Sequence, residues 1–170
     1  APHYSVTRFS APNRLELTLS GVRKIDFDAL FKSLLGTEAV RDAYRMMVLD
    51  DSSYGIVIVL NEGWSCEITE YSDPGALMLN FIESAPSGEY EVYYLRSEAM
   101  TYTDELGLLC EEYHAEAATQ LRTLSGEYIV TIGQYATRAE AEEALAALNE
   151  MHGESGFFVA SGAPGDTPEK

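Results

Sequence analysis

The chain opens with two runs of alternating polar and apolar residues. Tyr4 to Phe9 alternates, Ser10-Ala11-Pro12-Asn13 breaks the pattern, and Leu15 to Leu19 resumes it. Strand side chains point alternately to opposite faces, so this pattern around a Pro-Asn turn predicts a β-hairpin. The period then changes. Phe27, Leu30, Phe31, Leu34 and Leu35 recur at spacings of three and four, one stripe of a helix, with Asp26 placed to cap it and Gly36 to end it. Val40, Tyr44 and Met47 continue that spacing and predict a second short helix. Ile56 to Leu60 is an apolar strand, a turn containing Gly63 follows, and Ser65–Tyr71 and Ala76–Ile82 read as two more strands.

Part of this pattern repeats. Ser5 to Leu19 (SVTRFSAPNRLELTL) aligns without gaps onto Glu67 to Phe81 (EITEYSDPGALMLNF), 62 residues further on. Val6 matches Ile68, Thr7 matches Thr69, Phe9 matches Tyr71, Pro12 matches Pro74, and Leu15 and Leu17 match Leu77 and Leu79. The sharper expectation is two equivalent hairpins in one small sheet. The plainer one is that any strand, proline turn and strand look alike.

Apolar patterning stops at Glu83 to Gly88 (ESAPSG), because a Pro-Ser-Gly cluster continues neither helix nor strand. That places one domain at 1–85 and a second at 86–165. In the second, Tyr90–Leu95 predicts a strand. Thr103–Glu116 predicts a helix, with Leu106, Leu109, Cys110 and Tyr113 on one stripe. Thr119–Leu124 and Tyr128–Gln134 predict a strand pair turning at Ser125-Gly126. Thr137-Arg138-Ala139-Glu140 fits a capping box, in which the Thr hydroxyl and the Glu carboxylate satisfy free N–H groups. The helix it opens runs to about Met151, with Ala141, Ala144, Leu145 and Leu148 inward and Gly153 at its end. Phe157–Ala160 is a last strand. The fold expected is α+β: a β-α-β-β-α-β split βαβ (ferredoxin-like) antiparallel sheet with helices on one face. It follows a small α+β domain of hairpins and one or two helices. Ser161–Lys170 (SGAPGDTPEK) reads as a frayed end or a linker remnant, with 166–170 disordered.

Composition narrows the function classes. The 170 residues are 46% apolar and 23% charged, enough to bury a core. Eleven basic against 28 acidic residues leave a net charge of -17, which argues against nucleic acid and anionic membranes as partners. Residues 1–85 carry a net -5 and the remainder -12. No apolar run approaches the ~18 residues of a membrane span. The first residue is Ala1; a removed leader peptide and an arbitrary boundary both account for it. Cys66 and Cys110 stand in different halves. They read as two buried thiols, or as an interdomain disulfide in an oxidising compartment.

No catalytic set emerges. His3, His114 and His152 stand near a terminus or late in helices, where a histidine complements the helix dipole. No HExxH, GxSxG or P-loop motif occurs, and no metal-ligand spacing. Asp50-Asp51-Ser52-Ser53 reads as a solvated turn rather than a calcium loop. Glu111-Glu112 and Glu140-Glu142-Glu143 read as solvent faces of helices. The expectation is a protein without cofactor or metal and without catalytic activity.

Glu127 to Ala160 resembles the second half of a SPOR domain, a small cell-wall module of bacterial division and sporulation proteins. The resemblance rests on Tyr128, Val130, Ile132, Gly133 and Tyr135. It continues through the helix opening Thr137 to Glu142, Ala144 and Leu148, and Gly156-Phe157-Phe158-Val159. The first strand departs from the family pattern: Tyr93, Leu95 and Ser97 stand where Gln, Gly and an aromatic are usual. The resemblance implies binding of peptidoglycan glycan strands stripped of stem peptides, across the open sheet face, in an exported protein of the bacterial cell envelope, periplasm or exterior. Strand alternation then nominates Tyr93, Arg122, Thr131 and Phe158, with Gln134 and Tyr135 beside them, as ligand-binding residues, tyrosine offering sugar rings apolar area with a polar tip. The first half more faintly resembles an AMIN domain, another peptidoglycan-targeting module, through Ile68 to Pro74 and Leu77-Met78-Leu79. Two other classes stand beside glycan binding: an envelope protein–protein interaction module using the open sheet face, and a small hydrolase, which needs a cleft with a strongly shifted carboxylate.

Overall fold

A computed structural model describes residues 3–86 and 88–169. Expectations resting on Ala1, on Ser87 in the Glu83–Gly88 stretch or on Lys170 in the tail lie outside the described residues. The chain divides into two compact units, Ala1–Gly88 and Glu89–Lys170.

The first unit contains β1 (His3–Ser10), β2 (Asn13–Ser20), α1 (Phe27–Leu35), β3 (Val40–Met46), β4 (Ser53–Leu60), β5 (Trp64–Ser72) and β6 (Gly75–Glu83). The first four strands make an antiparallel sheet in the order β1-β2-β4-β3. β4 is central because Ile56 to Leu60 is apolar at every position and suits a strand with neighbours on both sides. Asp26 caps α1 by accepting from Ala29 N at 3.0 Å. Leu34 of α1 joins Leu15, Leu17, Ile56 and Ile58 in the core, and the β5–β6 hairpin packs Ile68, Leu77, Leu79 and Phe81 against the same cluster.

Two expectations for this unit change. The stretch expected as a second helix at Val40–Met47 is β3. Its register slips between Val40, opposite Leu60, and Asp42, opposite Val59, so Arg41 is an extra residue in the strand. The bulge puts Val40 and Ala43 on one face and Tyr44 on the other, so Val40, Tyr44 and Met47 do not form the common stripe that their spacing suggested. The two repeated hairpins do close alike: Ser10 faces Asn13, Ser72 faces Gly75, and the bonds before Pro12 and Pro74 are both cis. They are not in one sheet, however. β2 lends its second edge to β4, whereas β5 and β6 pair with each other as a separate two-stranded sheet.

The second unit contains β7 (Val92–Arg96), α2 (Asp104–Glu112), a 3₁₀ turn (His114–Glu116), β8 (Thr119–Arg122), β9 (Tyr128–Tyr135), α3 (Arg138–His152) and β10 (Phe158–Gly162). Its sheet runs β10-β7-β9-β8, antiparallel throughout. The expectation of an α+β chain with antiparallel sheets holds, with three α-helices among the described residues. The helix expected to reach Glu116 stops at Tyr113 and tightens into the 3₁₀ turn, closed by Ala117 in the left-handed region (φ 56°). The capping box at Thr137 forms on both sides: Thr137 Oγ1 accepts from Glu140 N at 3.3 Å, and Glu140 Oε2 accepts from Thr137 N at 3.1 Å. The tail is not frayed over its described part. Leu124 N donates to Pro168 O at 2.9 Å and Arg96 Nη1 to Glu169 O at 3.3 Å.

Candidate functional site

Directly paired residues in a sheet share a face, so register sorts the side chains of the second unit. Arg96 pairs with Phe158 on one side and Thr131 on the other; Tyr94 pairs with Ala160, Leu121 with Ile129 and Thr119 with Thr131. These residues point one way. Tyr93, Leu95, Val130, Ile132 and Tyr135 point the other. The helices lie on the second side. Phe157, which precedes Phe158 and so faces oppositely, meets Tyr113 at the end of α2 (ring centroids 4.9 Å apart), and Tyr113 meets His152 at the end of α3. On the first side, Tyr94, Leu121 and Ile129 form a small cluster with Ala99 and Ala160, to which no helix residue belongs.

The helix-free face centres on Arg96. Its guanidinium sits 5.3 Å from the centre of the Phe158 ring, within cation–π range. Nε donates to Ser97 O at 3.1 Å, which fixes the plane of the group over its cross-strand neighbour. Phe158 is 37% exposed, while Tyr94, Arg96, Leu121, Ile129 and Thr131 are buried. The face thus sets a planar cation, an aromatic ring and the Thr131 hydroxyl in adjacent positions, with only Phe158 exposed.

Of the residues nominated from sequence, the structure brings Thr131 and Phe158 together on this face, flanking Arg96. Tyr93 and Tyr135 are also brought together, as a cross-strand pair, but on the helix side. Arg122 pairs with Tyr128 and faces that side too, at the far end of β8. Gln134 lies in a bulge of β9, where Tyr93 pairs with Tyr135 but Leu95 with Ile132. Alternation alone put Tyr93 and Thr131 on one face. The actual pairing, Leu95 with Ile132 and Arg96 with Thr131, puts them on opposite faces.

Tyr93 belongs to a polar cluster. Its hydroxyl donates to Glu91 Oε2 at 3.0 Å, and Ser161 Oγ donates to Glu91 Oε1. The Ser161 bond first, and then that of Tyr93, hold the Glu91 carboxyl below its usual range; the same contact pushes the Tyr93 phenol up. Burial raises the Tyr135 phenol. Arg96 was missed by the sequence reading. The available signal was its rarity: the second unit has four basic residues, and this one stands in a strand.

Elsewhere the charged groups serve structure. His152 Nε2 and Glu116 Oε1 meet at 2.7 Å, tying the end of α3 to the 3₁₀ turn, and that bond lowers the Glu116 carboxyl. Asp50 accepts from Ser52 N, Ser52 Oγ and Ser53 Oγ in a closed turn. Cys66 is a buried free thiol whose ionisation burial pushes up, and the Cys110 thiol donates to Ala118 O. Among the described residues no three His, Cys, Asp or Glu side chains group to hold a metal. Among them, too, no helix is long and apolar enough to cross a membrane.

No curated protein and no solved structure matches the chain. Part of the sequence does match a family model. SPOR domains are non-catalytic peptidoglycan-binding modules of bacterial cell-envelope proteins. The SPOR family model matches residues 96–160, from the arginine of the helix-free face to the strand that carries its phenylalanine partner.

Proposed function

We propose that the second unit is a non-catalytic module that binds peptidoglycan glycan strands on its helix-free sheet face, within an exported bacterial envelope protein. The supporting observation is the overlap of the matched segment with the sheet and its Arg96–Phe158 stack. The element order and the strand order β10-β7-β9-β8 support a split βαβ, ferredoxin-like reading of the unit. An aromatic ring offers the apolar faces of sugars a flat contact. A guanidinium donates to acetamido carbonyls, hydroxyls and carboxylates at once. On a chain of net charge -17, an anionic strand needs such a local cation, because the chain as a whole repels it.

A setting in cell division or sporulation follows from the same family and stands with this reading. For the first unit we keep the AMIN-like reading as a proposal, supported by the Ile68–Leu79 sequence. Thr131 and Phe158 are proposed as the centre of the site beside Arg96; Tyr93, Tyr135 and Arg122 face the helices and Gln134 lies in the bulge, so these four stand outside it.

The test is retention on insoluble peptidoglycan, intact and amidase-stripped, at about 150 mM salt, where exposed charges are largely screened. Retention on stripped strands that falls with Phe158→Ala and is unchanged by Tyr93→Ala, on the opposite face, supports the reading. Absence of retention for the full chain and for a chain ending at Gly162 overturns it and points to a protein partner instead.

A further inference from the structure

The residues that follow β10 form a strap. Asp166 N donates to Ala163 O at 3.0 Å, and the Asp166 carboxylate accepts from Ala163 N at 3.2 Å, so the chain turns back on itself after Gly162. Pro164, inside this turn, is buried. The strap then delivers two carbonyls: Pro168 O to Leu124 N at 2.9 Å and Glu169 O to Arg96 Nη1 at 3.3 Å. β10 is one edge of the sheet, and Leu124 follows β8, the other edge. The strap therefore crosses the sheet, and its contact with Arg96 puts it on the helix-free side.

We propose that residues 163–169 are an autoinhibitory strap that competes with the glycan for this face; the proposal rests on the glycan reading. The strap presents the acceptor chemistry of the ligand. A peptide carbonyl on a guanidinium is equivalent to an acetamido carbonyl there, and Asp166 and Glu169 bring carboxylates as an anionic strand would. It also stays distinct from the sheet. Pro164 and Pro168 have no N–H and cannot join a β-ladder, so the segment stays a cover rather than becoming a fifth strand. A glycan must first displace the strap, and its apparent affinity falls by the fraction of molecules in which the face is free.

The experiment compares retention on amidase-stripped glycan for the full chain and a chain ending at Gly162, with a synthetic Ala163–Glu169 peptide added back. The expected result is about tenfold tighter retention of the shortened chain, reversed by the peptide. If the shortened chain is unfolded by circular dichroism, Asp166→Ala in the full chain replaces it. That substitution opens the Ala163 turn without touching the sheet, and the expected result is a smaller rise in the same direction. Equal retention of all forms, or weaker retention of the strap variants, overturns the strap and leaves the glycan reading standing. No retention by any form overturns both.

Discussion

The ring of Tyr135 lies over Gly133, two residues earlier on β9, at the bulge where that strand changes register against β7. Gly133 has φ +71°, in the left-handed region, and a Cβ there would collide with the tyrosine ring. Gly133→Ala therefore adds backbone strain to a steric clash. We expect a loss of about 1–3 kcal/mol in urea denaturation. Tyr135→Ala in the same chain removes the clash but not the strain, so the double variant should be less unstable than the two single losses added together.

The capping box at Thr137 satisfies otherwise free N–H groups at the start of α3. Thr137→Ala removes the oxygen that Glu140 N reaches. The expected loss is about 1 kcal/mol, with Thr137→Ser close to neutral. Denaturation followed by far-ultraviolet circular dichroism separates the two.

Acid should weaken the fold in a defined window. The carboxyls of Asp50, Glu91 and Glu116 all sit below their usual values because hydroxyl, amide or imidazole groups hydrogen-bond the charged form. A lowered carboxyl contributes stability above its unfolded pKa, and that contribution disappears as pH falls through the folded value. Thermal midpoints should be flat between about pH 7 and 5 and fall below about pH 4. Glu116→Gln should reduce that fall, while a midpoint that drops as steeply with the variant would remove Glu116 from the account.

Arg96 should tolerate no other cation. Lysine keeps the charge but loses the flat group that stacks on Phe158 and the second donor that reaches Glu169 O. Arg96→Lys in the chain ending at Gly162, where the strap is absent, should weaken retention on stripped glycan about three- to tenfold. Unchanged retention would move the site away from Arg96.

Most elements of this protein were legible because each carries its own local signal. The hairpin turns at Pro12 and Pro74, the Asp26 cap, the Thr137 box and the Gly153 stop are short-range chemistry, and each stands where the pattern put it. β3 was misread because Val40, Tyr44 and Met47 fall at helical spacings, and only pairing with β4 reveals that Arg41 is an extra residue and that Val40 and Tyr44 face opposite ways. The site was half legible for the same reason. Alternation tells which residues of one strand share a face, but not how that strand registers against its neighbour. Pairing across β7, β9 and β10 joined Thr131, Arg96 and Phe158 and sent Tyr93 to the helix side. The strap was not legible at all: Pro168 and Glu169 act through backbone carbonyls, which every residue has, and only the fold brings Leu124 and Arg96 within their reach.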